Sequence, residues 1–285
     1  MPSSVPLSVV VDALESLYPP GTAQSWDRVG LVAGDPDQPV ARVLLALDPT
    51  LAVIEEAITA RCDLLVTHHP LLLRGVHSVA TTSAKGASVT RLVAAGVALY
   101  VAHTNADVAA TGVARALAAA TGLLDPQPLT ESEGQALGRV GDLATPMTLG
   151  EFAGAVHAAL PQAPAGLRVS GDPRAQVRRV AVLPGAGDDS FEAARRCGAD
   201  VYVTADLRHH PALEAREEAR GGRPYLIDTG HWASEAVWLP LLRESLAGIL
   251  GRGGGGSPRV EILISDLCTD PWTFTVGAAN RKGMP

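Results

Sequence analysis

No stretch of this chain approaches the roughly 20 consecutive apolar residues that a membrane-spanning helix requires, so a bundle of such helices is excluded. Cysteine is scarce. Cys62, Cys197 and Cys268 are odd in number, far apart and form no C-x-x-C pair, which points to core cysteines in a reduced, cytoplasmic setting. The opening "MPSSVPLSVVVDALESLYPP" lacks a basic leader, and Asp12 and Glu15 interrupt its apolar run; it reads as an amphipathic helix rather than a signal peptide. Positive charge is also short, with 23 Lys and Arg against 30 Asp and Glu and a net charge of -7. That balance offers no broad footprint for nucleic acid and argues against DNA as a partner. Lysine is nearly absent, Lys85 and Lys282 alone, which with abundant Ala and Gly fits a GC-rich bacterial genome. There is no P-loop and no defensible Ser-His-Asp order. "GRGGGGSP" (251–258) formally contains G-x-G-x-x-G, but it follows a helical pattern and precedes a strand, the reverse of a phosphate-binding turn, and reads as a flexible loop.

Within these limits, 285 residues with 47% apolar and 19% charged side chains suit a folded globular chain of one large or two smaller units. Apolar strand runs at 42–48, 63–67 and 97–103 alternate with helical spacing at 50–61, 88–96 and 107–120. Continuous rather than alternating apolar strands predict a largely parallel sheet covered on both faces. Residues 124–175 are richer in Pro and Gly, carry one helix near 148–160, and read as a connector with no inserted domain. The rhythm then resumes with strands at 178–185, 200–204, 224–228 and 259–265 and helices at 189–198, 211–220 and 234–250. The expected organisation is a first lobe over 1–123, a second over 176–276 and a frayed tail at 277–285.

The halves echo each other. "CDLLVTHHPLL" and a later "VAHTNAD" match "ADVYVTADLRHHPAL" and a later "DTGHWASE", a weak internal duplication that predicts two similar, interlocked α/β lobes with largely parallel or mixed sheets and a site between them. His103 and Asp107, like His231 and Glu235, are spaced i, i+4 across a strand-to-helix junction, where α/β proteins place their sites. His68 and His69 follow a third strand directly, and in a loop both can turn to one side. Singly, Asp107 could cap a helix and Glu235 could sit in a helix first turn. Together, four histidines and two carboxylates exceed what one tetrahedral ion needs and suit two, of Zn, Mn, Fe, Co or Ni. His209 and His210 lie five residues past Val203-Thr204 and read as supporting residues, with His210 the better placed to face the site; His77 and His157 have no companions at ligand spacing.

In order, "SWDRVGL", "THHPLL", "HTNAD", "VYVTADLRHH" and "DTGHWASE" make the chain, from about residue 5 to 275, resemble the Nif-three-like proteins, also called type 2 homologues of GTP cyclohydrolase I. The resemblance implies a toroidal homohexamer of two-lobed α/β units with a dinuclear metal centre facing its interior. It places the metal ligands at His68, His69, Asp107, His231 and Glu235, with Glu235 as the bridge and His103 as a sixth ligand or a proton carrier. The first motif departs from the family's usual Asn by carrying Arg28, a cation that could face an anionic substrate. The implied activity is metal-dependent hydrolysis of a nucleotide or phosphate ester, the family name pointing to the guanine ring of GTP. The alternative is a non-catalytic protein that binds or delivers metal or serves as an interaction hub.

Overall fold

The computed structural model describes residues 4–251 and 260–276; the glycine-rich loop and the frayed tail expected from the sequence fall on 252–258 and 277–285, outside the described residues. The first half runs β1 (Val5–Pro6), α1 (Leu7–Leu17), β2 (Gly30–Ala33), β3 (Pro39–Val40), β4 (Arg42–Ala46), α2 (Leu51–Thr59), β5 (Leu64–Thr67), α3 (Ala84–Ala95), β6 (Ala98–Val101), α4 (Thr104–Val108) and α5 (Val113–Ala120). The middle adds β7 (Leu123–Ser132), β8 (Gln135–Thr148), α6 (Leu149–Ala159) and β9 (Arg168–Ser170). The second half runs β10 (Gln176–Ala186), α7 (Phe191–Arg196), β11 (Val201–Ala205), α8 (His209–Glu218), β12 (Tyr225–Asp228), α9 (His231–Ala236), α10 (Leu239–Leu250) and β13 (Glu261–Ile264).

β1 and β3 form a small antiparallel pair, and the other strands divide between two mixed sheets, one ordered β13-β4-β5-β6-β2 and the other β7-β8-β10-β11-β12-β9. Each has a parallel centre, β13-β4-β5-β6 and β10-β11-β12, edged by antiparallel strands. Side chains along a strand point alternately to its two faces. In β4, Val43 and Leu45 therefore join the core under α1 and α10, while Leu44 and Ala46 join the core under α2 and α3. Both faces being covered explains why β4, β5 and β6 are unbroken apolar runs.

The division into a first lobe, a connector and a second lobe does not follow the sheets. Residues 124–175 hold all of β7 but its first residue and all of β8, α6 and β9, and these strands build the second sheet rather than a linker. Their turn, Glu133-Gly134, has positive φ at both positions, the geometry of a tight hairpin. The C-terminal β13 pairs with β4 and so returns to the first sheet. Two expected helices are also split. The one at 107–120 becomes α4 and α5, broken over 109–112: Ala109 turns to extended backbone at ψ 154°, and Gly112 caps α5 where a Cβ would strike the Ala106 carbonyl oxygen. The one at 234–250 starts earlier and becomes α9 and α10, because Pro240 has no N–H for an earlier carbonyl and its ring crowds the preceding turn. Of the three cysteines only Cys62 is buried in the core; Cys268 is exposed. Among the described residues no helix is long and apolar enough to cross a membrane.

The duplication extends to how the central strands begin. Asp63 Oδ2 accepts from the backbone N–H of Ala41 and Arg42 at 2.7 and 2.9 Å; Asp200 Oδ2 accepts from Arg178 and Arg179 at 2.7 and 2.9 Å. Asp200 is buried and also meets the Arg223 guanidinium. Asp200→Ala leaves both amides without their acceptor, and the expected loss is about 2 kcal/mol, read as a lower urea midpoint at unchanged m value. An unchanged midpoint would show that water replaces the carboxylate at no cost.

Candidate metal centre

Four strand ends supply the site. Asp48 follows β4, His68 and His69 follow β5, His103 follows β6, and Asp206 follows β11, while α9, just past β12, carries His231 and Glu235. His68, His69, Asp107, His231, Glu235 and His103, all expected from the sequence to share a site, are brought to one place. His231 Nε2 lies 3.1 Å and His69 Nε2 3.0 Å from the two oxygens of Glu235. His68 Nε2 is 3.6 Å from Asp107 Oδ1 and 3.8 Å from Glu235 Oε1. The ligand atoms form two overlapping groups, His68 with His69 and His103, and His69 with His231 and Glu235, each within 4.8 Å and each able to hold a metal ion.

The imidazoles are locked in orientation. His69 Nδ1 donates to Asp48 Oδ1 at 2.7 Å, His103 Nδ1 to Asp27 Oδ1 at 2.9 Å, His231 Nδ1 to Asp206 Oδ2 at 2.8 Å, and His68 Nδ1 to the Ala102 carbonyl at 2.9 Å. Every partner can only accept, so each Nδ1 carries a proton and Nε2 is the nitrogen left for a proton or a metal ion. This is the outer support that metal-binding histidines characteristically have. Thr104 reinforces it by donating to Asp27 through both its hydroxyl and its N–H.

The cluster could hold a cation. His68 Nε2 and Asp107 Oδ1 are buried without a hydrogen-bond partner among the described residues, and so is Glu235 Oε2 despite its closeness to His69. Burial pushes Asp107 up from the ordinary carboxylate range. Glu235 is held well below it, since the surrounding histidines outweigh a burial that acts the other way. Burial opposes charge on His69 too, but its bonds to Asp48 and Glu235 prevail and raise it to about 10; in the same way, against burial, Glu235 and Asp206 raise His231 to about 9. A proton and a metal ion compete for these lone pairs.

A pH dependence follows. For a histidine raised above its unfolded value of about 6.5, the stabilisation is complete below that pH and is lost as pH rises through the folded value. Chelator-treated protein should thus lose thermal stability from about pH 7 to 10, through the raised values of His69 and His231. Metal-loaded protein should not, because the ion replaces the protons. Melting temperature against pH for both forms is the measurement, and parallel curves would refute the competition.

Sequence reasoning missed Asp27, Asp48 and Asp206. The signals were present: Asp27 and Asp206 lie within "SWDRVGL" and "VYVTADLRHH", and Asp48 ends the first buried strand run. Asp206 takes the place expected for His210. Its backbone turns back at φ 52°, whereas His209 and His210 open α8, exposed, with their rings 5.1 Å apart. Arg28 is exposed and folds its guanidinium onto the Asp27 carbonyl. His77 and His157 are exposed and belong to neither ligand group.

Glu235 fits between the imidazoles because Gly185, near the end of β10, has no side chain. Its φ is 67°, its N–H donates to Ser234 Oγ at 2.9 Å, and a Cβ there would overlap Glu235 Oε1. The bare spelling "LPGAG" does not mark this glycine; only the close approach reveals its use.

Comparison with known proteins agrees with this site-bearing fold. The family model described as Duf34/NIF3 (NGG1p interacting factor 3) matches residues 5–271. A Streptomyces coelicolor protein named "GTP cyclohydrolase 1 type 2 homolog" is 46% identical over 279 residues, covering 96% of this chain and 95% of the relative. A Mycobacterium tuberculosis protein of the same name is 33% identical over 380 aligned positions, covering 95% of this chain and 97% of the relative. Among solved structures, a Bacillus cereus protein related to NIF3 superposes with a TM-score of 0.87 at 25% identity, covering 96% of this chain and all of the other. Staphylococcus aureus SA1388 superposes with a TM-score of 0.84 at 28% identity, covering 95% of this chain and all of the other. The chain therefore belongs to the DUF34/NIF3 family.

Proposed function

We propose that the chain holds two divalent transition-metal ions and uses them to hydrolyse a nucleotide or a phosphate ester. The observation that carries this reading is the set of four imidazoles with Nδ1 fixed by acceptors, three of which, His68, His69 and His231, bring Nε2 to Glu235 or Asp107. The nitrogen and oxygen donors suit Zn, Mn, Fe, Co or Ni. His68, His69, Asp107, His231 and Glu235 would be the ligands, with Glu235, whose two oxygens face different histidines, shared between the ions. Bound ions would supply Lewis acidity and a water acidified toward neutral pH.

The chain's own residues do the rest. Asp48 and Asp206 keep His69 and His231 in the ligand tautomer. Asp27 holds Nδ1 of His103 and would stabilise the imidazolium formed when His103 Nε2 accepts a proton, so that His103 can carry it to the leaving group. The name shared by the relatives supports a hydrolase in general terms. The toroidal homohexamer implied by the resemblance belongs to the same proposal, and light scattering in solution reads it. The test is elemental analysis of natively purified protein, followed by a turnover screen against nucleotides and phosphate esters with His68→Ala as control. Two ions per chain and a turnover lost in the variant are expected. Metal without any turnover would leave the non-catalytic, metal-binding reading in place; fewer than about one ion per chain would remove the dinuclear centre.

A further inference from the structure

The chain is poor in aromatic residues, with 3 Phe, 4 Tyr and 4 Trp. All four tyrosines, Phe152, Phe191 and Trp238 are buried. The four that reach solvent gather in one region. Trp26 packs edge-on to His103 with centroids 5.9 Å apart, and Trp232, Trp272 and Phe274 line a single cavity of about 1020 Å³ that His69 and His231 also line. Exposed apolar surface of this kind needs a reason, and a concave site beside reactive groups is the usual one.

The cavity's outer wall is the segment that follows β13. Trp272, Phe274 and Val276 alternate with threonines, and all three line the cavity while remaining 67%, 76% and 83% exposed. The segment is anchored at both ends. Thr269 donates its hydroxyl to Asp48, the same carboxylate that orients His69, and Thr275 donates to the Pro164 carbonyl at 2.9 Å. An aromatic wall is thereby held at a fixed place relative to the metal-binding histidines.

We propose that this wall seats a planar aromatic heterocycle by stacking, and hence that the substrate is a nucleotide rather than a simple sugar or alkyl phosphate. Only the naming of the ligand as a substrate rests on the hydrolase reading; the ring site stands on the cavity itself. Stacking of a base on Trp or Phe is favourable and tolerant of base identity. The metal-facing end of the cavity would then take the phosphate, with the ring lying against the strap.

The test is equilibrium binding to the metal-loaded full chain of three probes, adenosine 5′-monophosphate, guanosine 5′-monophosphate and ribose 5-phosphate. The wild type is expected to bind at least one nucleotide tenfold or more tightly than ribose 5-phosphate. The Trp272→Ala, Phe274→Ala double variant should lose that preference with metal content and ribose 5-phosphate affinity unchanged, and Trp272→Phe should keep most of it. Equal affinity of the wild type for all three probes overturns the proposal. So does a preference that survives in the double variant. A double variant that changes only the mass of the assembly also overturns it, because the strap is then a contact between copies of the chain. Turnover is scored separately. A nucleotide bound with the expected preference but never hydrolysed supports the ring site and defeats the hydrolase reading. Ribose 5-phosphate hydrolysed as fast as the nucleotides, by wild type and double variant alike, supports the hydrolase and defeats the ring site.

Discussion

Glu235→Gln is expected to cut metal affinity by at least a hundredfold and to abolish any metal-dependent turnover while leaving the fold intact. Glutamine keeps the volume of the side chain in a buried position, so packing under α9 is retained. What it removes is the negative charge 3.0 and 3.1 Å from two inward-facing Nε2 atoms. Its amide has one NH2, which can donate to only one of those two Nε2 atoms, while the amide oxygen, an acceptor, faces the other. The variant thus keeps the shape of the cluster but loses the central charge that would hold an ion. Loss of support around a ligand already costs 10- to 100-fold in affinity, and loss of a shared ligand should cost more. His69 and His231 would lose a main cause of their raised values, so the alkaline loss of stability seen in chelated wild type should shrink in the variant. Elemental analysis after desalting, with circular dichroism as the fold control, reads the result. Wild-type metal content in Glu235→Gln would mean that the ions sit elsewhere.

How much of this arrangement can be read from the sequence depends on how local each cause is. β4, β5, β10, β11 and β12 are legible because they are buried on both faces, which writes burial into consecutive residues. β7 and β8 are not. They carry Pro126, Pro128 and Pro146 among polar residues, with irregular pairing between Leu124 and Gln127, so no clean period of two survives. The return of β13 to β4 joins residues such as Glu261 and Arg42, and nothing local encodes a pairing over that distance.

The site divides the same way. His68 and His69 stand out by their position directly after a strand, and the i, i+4 spacing of His231 and Glu235 becomes a real 3.1 Å contact within α9. His103 and Asp107 have the same spacing, yet His103 turns to Asp27, 76 positions away, and Asp107 turns to His68. The aspartates behind the histidines could not be found by spacing, because each reaches its partner from a distant segment, Asp27 from the loop before β2 and Asp48 and Asp206 from other strand ends. The repeated "RHHP" misled for a related reason: after Thr204 the chain makes a left-handed turn at Asp206 and starts α8, which carries its two histidines outward and leaves the aspartate to reach His231.

Gly185→Ala tests the one part of the centre that has no functional group. Two effects are superposed at this position. An L residue at φ 67° costs about 1–2 kcal/mol from its own backbone, and for a chain of this size that lowers the melting temperature by several degrees. Separately, the new Cβ would overlap Glu235 Oε1 and lie 3.4 Å from His231 Nε2, so the carboxylate must leave the position in which it faces the imidazoles. Gly134→Ala separates the two: its φ is 77°, but a Cβ there meets nothing within 4 Å. Both variants should lose similar stability in the chelated state. Only Gly185→Ala should also lose metal affinity, by tenfold or more, with a matching fall in the stabilisation that added metal confers. Equal metal binding by the two variants would show that Glu235 can move without consequence, and that the bare backbone at the end of β10 serves the turn alone.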